Sequence, residues 1–105
     1  MIIELTDQNF TKFLHENPLP VLVDCYANGC SYCKMMVPTF QKLSDKLQGK
    51  VVFASLDADE NPAVVMCYKI RGLPTFLLFD ANRELTKVSG YMEMGELEDW
   101  IKWNV

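Results

Sequence analysis

Two cysteines separated by two residues are the part of this sequence with the clearest chemical capacity. The stretch "GCSYCK" contains Cys30 and Cys33. Cysteine pairs at this spacing serve as metal ligands, as structural disulfides or as redox dithiols. The other two cysteines, Cys25 and Cys67, do not form a second pair of this kind. The place of the Cys30/Cys33 pair in the fold must therefore decide between these chemistries.

The pair lies where a predicted strand ends and a predicted helix begins. Residues 21–27, "VLVDCYA", form a continuous apolar run that is typical of a strand buried on both faces. The helix that follows the pair has an apolar stripe at spacings of four, three and four residues: Met36, Phe40, Leu43 and Leu47. A thiol ionises more easily at a helix N-terminus, and the thiolate is the attacking species in disulfide exchange. Cys30, at the exposed start of the turn, is therefore the natural nucleophile, and Cys33, one turn further in, can resolve the mixed disulfide.

A structural zinc site is the weaker interpretation of the same pair. Structural zinc needs four ligands, which usually come from two such pairs or from one pair with histidines. Cys25 lies within the strand, Cys67 is solitary and His15 is distant along the chain. We therefore predict a redox dithiol and no metal.

Asp24 is the second unusual residue, because it stands in the middle of the apolar run "VLVDCYA". A carboxylate there would lie in the core, where an unpaired charge is costly. Asp24 could pair with a buried lysine or lie at a sheet edge. Alternatively, it could be a carboxyl group with a raised pKa that exchanges the proton of Cys33. We favour the second interpretation, since perturbed titratable groups cluster at active sites.

Strand and helix patterns alternate along the rest of the chain. "MIIEL" predicts a strand and Thr6 the N-cap of the next helix, while "VVFASL" predicts a third strand. Asn61 and Pro62 suit the start of a short helix. "TFLLF" and "ELTKVSG" predict two strands joined by the turn "DANR", and a last helix carries the stripe Met94, Leu97, Trp100 and Ile101. This alternation predicts one α/β domain over residues 1–105, with helices on both faces of a sheet.

Composition and charge exclude several classes of protein. Half of the 105 residues are hydrophobic and 23% are charged, as in ordinary globular proteins. The net charge of −4, without a basic cluster, argues against nucleic-acid binding. The apolar runs are too short to cross a membrane, and "MIIELTDQNF" lacks the features of a secretory signal. We therefore expect a cytoplasmic protein that contacts neither nucleic acid nor membrane.

The whole chain resembles the thioredoxin family. The segments that carry the resemblance are "VLVDCYANGCSYCKMMVPTF", "DADENP", "IRGLPTFLLF" and the glycine of "VSGYM". The resemblance implies a thioredoxin fold, with a five-stranded mixed sheet flanked by four helices. It also implies that Cys30 attacks, that Cys33 resolves, that Asp24 is the buried acid and that Pro74 is a cis-proline opposite the dithiol.

The resemblance further implies a substrate site and a function. The residues expected to contact substrate are Gly29, Ser31, Tyr32, Leu73, Pro74, Thr75 and Gly90, of which the last four would form a backbone groove for an added strand. The expected activity is a protein-disulfide reductase without a bound cofactor. It would act as a monomer on disulfide-containing proteins, with a flavoprotein thioredoxin reductase as electron donor.

The sequence departs from the family pattern at several positions. Thioredoxins usually read W-C-G-P-C, whereas Gly29 stands here in place of the aromatic residue and Ser31-Tyr32 in place of Gly-Pro. Ser55 occupies the position where thioredoxins often have a lysine that partners the buried aspartate. Cys25 replaces a residue that is normally aromatic, and we interpret it as a small buried filler.

Two other functions remain as alternatives. The Ser-Tyr pair resembles glutaredoxins, which would make the protein a glutathione-dependent oxidoreductase. However, the chain lacks the Gly-Gly and acidic pair that glutaredoxins use for glutathione, and "VSGYME" is a poor substitute. The chain could also be a redox-inert binding module, since thioredoxin folds are reused as adaptors. The intact cysteine pair and Asp24 argue against that alternative.

Overall fold

A computed structural model describes residues 1–80 and 83–105. The elements are β1 (Ile2–Leu5), α1 (Phe10–Glu16), β2 (Val21–Tyr26), α2 (Ser31–Lys46), β3 (Val52–Asp57), α3 (Pro62–Cys67), β4 (Thr75–Asp80), β5 (Arg83–Ser89) and α4 (Met94–Asn104). The predicted turn "DANR" includes residues 81 and 82, which lie outside the described residues. Within the described ranges, none of the helices has the length and apolar composition that a membrane span requires.

The strands form one mixed sheet in the order β1-β3-β2-β4-β5. β1 and β2 both run parallel to β3, whereas β4 is antiparallel to its neighbours β2 and β5. The central strand is therefore β2, the apolar run that precedes the cysteine pair. The five-stranded mixed sheet with four helices confirms the predicted thioredoxin fold.

Side chains of β2 alternate between the two faces of the sheet, as the pleat of a strand requires. Val21, Val23 and Cys25 belong to a core cluster with apolar residues of α1 and α3. Leu22 belongs to the opposite cluster, which contains apolar residues of α2 and α4. Asp24 is two residues further along the strand than Leu22, so its carboxyl group also points toward α2.

Helix α2 is held against the sheet by the predicted apolar stripe. Met36, Phe40 and Leu43 are buried in the cluster that also contains Leu97 and Ile101 of α4. The helix continues through Pro38 to Lys46. These contacts fix the position of the helix N-terminus, which carries the cysteine pair.

Glu98 connects the two helices on this face. Its Oε2 lies 2.9 Å from the Nζ of Lys46 on α2 and 2.9 Å from the Nζ of Lys102 on α4. Hydrogen bonds from Lys102 and Lys46 lower the pKa of the Glu98 carboxyl group. The carboxylate is therefore stabilised in its charged form.

The prediction of Thr6 as a helix N-cap is wrong. Helix α1 begins at Phe10, and its N-cap residue is Asn9. The carbonyl of Thr6 accepts hydrogen bonds from the backbone N–H groups of Asn9 (3.2 Å) and Phe10 (3.0 Å). The side chain of Asn9 in turn accepts from the Thr6 N–H at 2.7 Å. These bonds close a turn over residues 6–9, so the helix starts after it.

Helix α3 begins where it was predicted, but a distant residue caps it. Asn61 is the N-cap residue and Pro62 is the first helical residue, although the Asn61 side chain makes no capping bond. The Asp7 carboxylate instead accepts hydrogen bonds from the backbone N–H groups of Ala63 and Val64, each at 3.0 Å. The loop after β1 is thereby attached to α3.

Candidate active site

The cysteine pair lies at the junction of β2 and α2, as predicted. Cys30 and Cys33 form a disulfide, with their Cα atoms 5.3 Å apart. Cys30 is the N-cap residue of α2 and has an extended backbone conformation. Its Sγ accepts a hydrogen bond from the Cys33 N–H at 3.1 Å. The sulfur therefore takes the place that a serine or aspartate oxygen occupies in an ordinary helix cap.

The two sulfur-bearing residues differ in their access to solvent. Cys30 is half-buried and lies between the exposed residues Gly29 and Ser31, with exposed Tyr32 next along the helix. Cys33 is only 4% exposed. A substrate can therefore approach Cys30, whereas Cys33 faces the interior.

A cavity of about 270 Å³ connects the dithiol to the buried carboxyl group. Its lining residues are Ile2, Asp24, Tyr26, Ala27, Asn28, Cys33, Lys34, Val37, Phe40 and Ser55. This volume is large enough for several water molecules, and Asp24 and Ser55 supply polar groups within it. The structure therefore brings Cys33 and Asp24 to one shared space, as the sequence led us to expect.

Asp24 is buried on the central strand, and no cation of the described chain forms an ion pair with it. Its residue is 6% exposed, and its Oδ1 meets no hydrogen-bond partner within residues 1–80 and 83–105. Burial, followed by the negative charge of Glu4, raises the pKa of Asp24 from 3.8 to about 7. The residue in register on β3 is Ser55. Asp24 lies on the central strand and not at the sheet edge, and among the described residues no buried lysine pairs with it.

Glu4 is a part of the site that the sequence analysis missed. The Ser55 hydroxyl donates to Glu4 Oε1 at 2.9 Å, and the Tyr26 hydroxyl donates to Glu4 Oε2 at 3.2 Å. Burial and the charge of Glu4 raise the pKa of Tyr26 to about 12. The sequence shows Glu4 as a charged residue in the predicted strand "MIIEL". Only the register of β1 against β3 shows that Glu4 lies beside Ser55.

The segment before β4 contains the other residues that were predicted to contact substrate. The peptide bond between Leu73 and Pro74 is cis, as the resemblance implied. The Pro74 carbonyl accepts a hydrogen bond from the Gly90 N–H at 2.8 Å. Thr75 has its hydroxyl 2.9 Å from that of Ser89, and it also donates to the Gly72 carbonyl. The start of β4 and the end of β5 are thus connected.

These residues lie at the same edge of the sheet as the dithiol. Because β4 is antiparallel to β2, Thr75 at its start is in register with Cys25 near the end of β2. Gly90 follows the end of β5 and has a φ of 106°, a left-handed conformation that favours glycine. The topology therefore places Leu73, Pro74 and Gly90 near the end of the strand that leads to the cysteines.

Tyr91 is a second residue that the sequence analysis missed. Its ring lies 6.5 Å from the ring of Tyr32, measured between centroids, and the two residues are 38% and 58% exposed. A Cβ atom added at Gly29 would meet no heavy atom of the described chain within 4 Å. The exposed aromatic surface beside the dithiol therefore comes from Tyr32 and Tyr91 and not from the position before Cys30. The signal in the sequence was the place of Tyr91 directly after Gly90.

The other two cysteines lie apart from this site. Cys25 is fully buried in the α1/α3 cluster, as predicted for a small filler, and burial and the nearby Asp24 raise its pKa to about 12. Cys67 is exposed at the end of α3. In the described part of the chain, no group of three or more His, Cys, Asp or Glu residues could hold a metal ion.

A disulfide-forming pair at a helix N-terminus, on a mixed sheet with a cis-proline beside it, defines the class of protein as a thiol–disulfide oxidoreductase. The family model described as Thioredoxin matches residues 1–103. Thioredoxin C-3 of Corynebacterium nephridii is 38% identical over 94% of this chain and 68% of its own length. A thioredoxin of Rickettsia felis is 37% identical over the full length of both chains. A thioredoxin of Buchnera aphidicola subsp. Schizaphis graminum is 36% identical over 99% of this chain and 96% of its own.

The chain belongs to the thioredoxin family. It is a protein-disulfide reductase that carries a Cys30/Cys33 pair and acts on disulfide-containing proteins.

Proposed function

We propose that Cys30 attacks the substrate disulfide, that Cys33 resolves the mixed disulfide and that Asp24 accepts the proton of Cys33. The observation that carries this assignment is the difference between the two sulfurs. Cys30 is half-buried at the helix N-cap and its Sγ receives an N–H hydrogen bond, while Cys33 is buried against the cavity that contains Asp24.

The reaction balances without a bound cofactor. The Cys30 thiolate attacks one sulfur of a substrate disulfide, which forms a mixed disulfide and releases the other substrate sulfur as a thiolate. Asp24 takes the Cys33 proton, directly or through water in the cavity. The Cys33 thiolate then attacks the Cys30 Sγ and releases the second substrate sulfur. Two electrons have moved to the substrate, and the protein is left with the disulfide.

The substrate segment adds to the protein as an extended strand at the edge that carries Leu73, Pro74, Thr75 and Gly90. Main-chain hydrogen bonds give such binding its affinity without requiring one sequence. Gly29, Ser31 and Tyr32 surround Cys30 and contact the substrate on the other side of the attacked sulfur. This arrangement is supported by the shared sheet edge and by the Gly90–Pro74 hydrogen bond.

The electron donor in this proposal is a flavoprotein thioredoxin reductase, and the protein works as a cytoplasmic monomer of one domain. The full-length match to thioredoxins and the match of the family model to residues 1–103 support the donor and the domain. A net charge of −4 is consistent with a protein that binds other proteins and not nucleic acid.

Insulin reduction with a choice of electron donor tests the proposed function. The wild-type protein should precipitate insulin chains when supplied with NADPH and thioredoxin reductase, and much more slowly with glutathione and glutathione reductase. The double variant Cys30→Ser/Cys33→Ser is the matched control and should do neither, while its circular dichroism spectrum should match that of wild type. Faster turnover with glutathione would instead support the glutaredoxin-like alternative, and no turnover with either donor or dithiothreitol would support a binding module.

A further inference from the structure

We propose that Glu4 is a positioning residue that acts on proton transfer in the active site through Asp24. Its carboxylate, held by the hydroxyl groups of Ser55 and Tyr26, lies on the same face of the sheet as Asp24 and opposes the ionisation of that side chain. This inference rests on the proposed role of Asp24 as proton acceptor and adds a residue of the edge strand β1 to the mechanism.

The strand register places the two carboxyl groups on one face of the sheet. Glu4 is in register with Ser55, and Ser55 is in register with Asp24. Neighbouring strands are about 4.8 Å apart, so the backbones of Glu4 and Asp24 are separated by roughly 10 Å. At this distance two charges still interact measurably, because the effective dielectric constant near a protein surface is well below that of bulk water.

Two hydrogen bonds hold the Glu4 carboxylate toward the site. Ser55 donates to Oε1 at 2.9 Å and Tyr26 donates to Oε2 at 3.2 Å, so each oxygen is fixed by a different strand. Tyr26 and Ser55 also line the cavity that contains Asp24 and Cys33. Glu4 is itself exposed, and without these two bonds its carboxylate would turn freely into water, where its effect on a buried group would be small.

The other charged and titratable groups around Asp24 do not reverse this effect. The neighbouring elements contribute Tyr26 and Cys25 from β2, Asp57 from β3, and Cys33 and Lys34 from α2. β4 contributes Phe76, which is in register with Asp24. The cation in the cavity lining, Lys34, is an exposed side chain. The two causes that raise the pKa of Asp24 are burial and then the charge of Glu4.

The Glu4 carboxylate acts on Asp24 in the opposite direction to a lysine at the Ser55 position. A cation beside a buried aspartate favours the carboxylate, whereas a second carboxylate favours the neutral acid. A general base works best when its pKa lies near the working pH, because a base of low pKa is a weak proton acceptor. Glu4 therefore makes the Asp24 carboxylate a stronger base toward the Cys33 thiol. For the same reason, a smaller fraction of Asp24 is ionised below neutral pH.

The direct test is a titration of Asp24 in the oxidised protein, followed by the NMR signal of its side-chain carboxyl carbon. The variant is Glu4→Gln, which removes the charge but keeps an oxygen that accepts a hydrogen bond. The matched control is Glu16→Gln, which removes an exposed charge at the end of α1. We expect the midpoint of Asp24 to fall by roughly half to one pH unit in Glu4→Gln and to stay unchanged in the control. An unchanged midpoint in Glu4→Gln, or an equal fall in both variants, would overturn the inference.

A kinetic measurement adds a signature that a merely structural role would not produce. The rate at which Cys33 resolves a mixed disulfide on Cys30 is measured from about pH 5 to pH 9 by stopped flow, for wild type and Glu4→Gln. We expect the two profiles to cross. The variant should be up to about twofold slower on the alkaline plateau, because its base is weaker, and faster on the acid side, because more of it is ionised. Parallel profiles would contradict the inference.

The two proposals fail in different ways. If wild type reduced no disulfide, the proposed function would fall, while the Asp24 titration in the oxidised protein would still show whether Glu4 controls it.

Discussion

The backbone N–H of Cys33 donates a hydrogen bond to the Sγ of Cys30 over 3.1 Å. The donor belongs to the third residue of α2, so the sulfur lies where a helix N-terminus favours negative charge. When the disulfide is reduced, the same position stabilises a thiolate on Cys30 more than on buried Cys33. We expect the order of attack and the redox properties of the pair to follow from this asymmetry.

The first prediction concerns the order of attack. Cys33→Ser should accumulate a stable mixed disulfide between Cys30 and a substrate protein, because the resolving thiol is missing. Cys30→Ser should accumulate almost none and should be inactive. Mass spectrometry of the trapped adducts locates the linked cysteine. Adducts mainly on Cys33, Cys25 or Cys67 would contradict the assignment.

The second prediction concerns stability and the charge of Asp24. The folded protein binds the Asp24 proton more tightly than the unfolded chain, since the pKa is raised from 3.8 to about 7. Stability from this group is fully present below about pH 4 and is lost as the pH rises through about 7. Asp24→Asn should therefore be more stable than wild type by about 2–4 kcal/mol at pH 8, and by little at pH 4.

Urea unfolding at a series of pH values measures this difference, and mixed-disulfide resolution measures the functional cost. Asp24→Asn should resolve more slowly because the proton acceptor is lost. A variant that is less stable than wild type at pH 8 and turns over normally would show Asp24 to be a structural residue.

The third prediction concerns fluorescence. Trp100 and Trp103 both belong to α4, and Trp103 is 82% exposed, so reduction of the disulfide should change the wild-type tryptophan emission little. Gly29 has room for a side chain, and Gly29→Trp should place an indole beside the sulfurs. We expect a large reversible change of emission in this variant alone. A comparable change in wild type would show that a native tryptophan senses the disulfide.

The fourth prediction concerns the residues between the cysteines. A proline in place of Tyr32 removes a backbone N–H from the first turn of α2, where N–H groups stabilise the Cys30 thiolate. Wild type should therefore favour the dithiol more than the double variant Ser31→Gly/Tyr32→Pro does. Its reduction potential should be higher by some tens of millivolts, where ~30 mV corresponds to ~1.4 kcal/mol. Redox titration against glutathione measures both reduction potentials. A wild-type potential equal to or below that of the variant would refute the expectation.

The fifth prediction concerns the cap of α3. Asp7→Ala removes the acceptor for the N–H groups of Ala63 and Val64 and should cost about 1–2 kcal/mol of unfolding free energy. Asp7→Asn keeps one acceptor oxygen and should lose less. Urea unfolding compares the three proteins. If Asp7→Ala were as stable as wild type, the cap would contribute nothing to stability.

Much of the fold could be predicted because its determinants are local. The apolar run of β2 and the stripe of α2 have periods that the sequence shows directly, so the junction between them was placed correctly. Cys30 and Cys33 are three residues apart, and one turn of helix is enough to bring their sulfurs together. Asp24 was conspicuous because a charged residue interrupts an apolar strand, and its burial follows from that strand alone.

The tertiary structure decided the contacts between residues that are far apart in the chain. Glu4 meets Ser55 across 51 residues and Tyr26 across 22, and these contacts depend on the register of β1, which a single sequence does not contain. Asp7 caps α3 across 56 residues or more, although a local N-cap residue, Asn61, was available. Tyr91 approaches Tyr32 only because β5 returns to the edge where β2 ends.

The sequence by itself thus determined which dithiol and which acid the protein carries, because short-range periodicity and burial specify both. The environment of that acid was decided by the packing of the strands. A carboxylate from the edge strand lies across Ser55 from Asp24, because parallel pairing of β1 with β3 places Glu4 in that register.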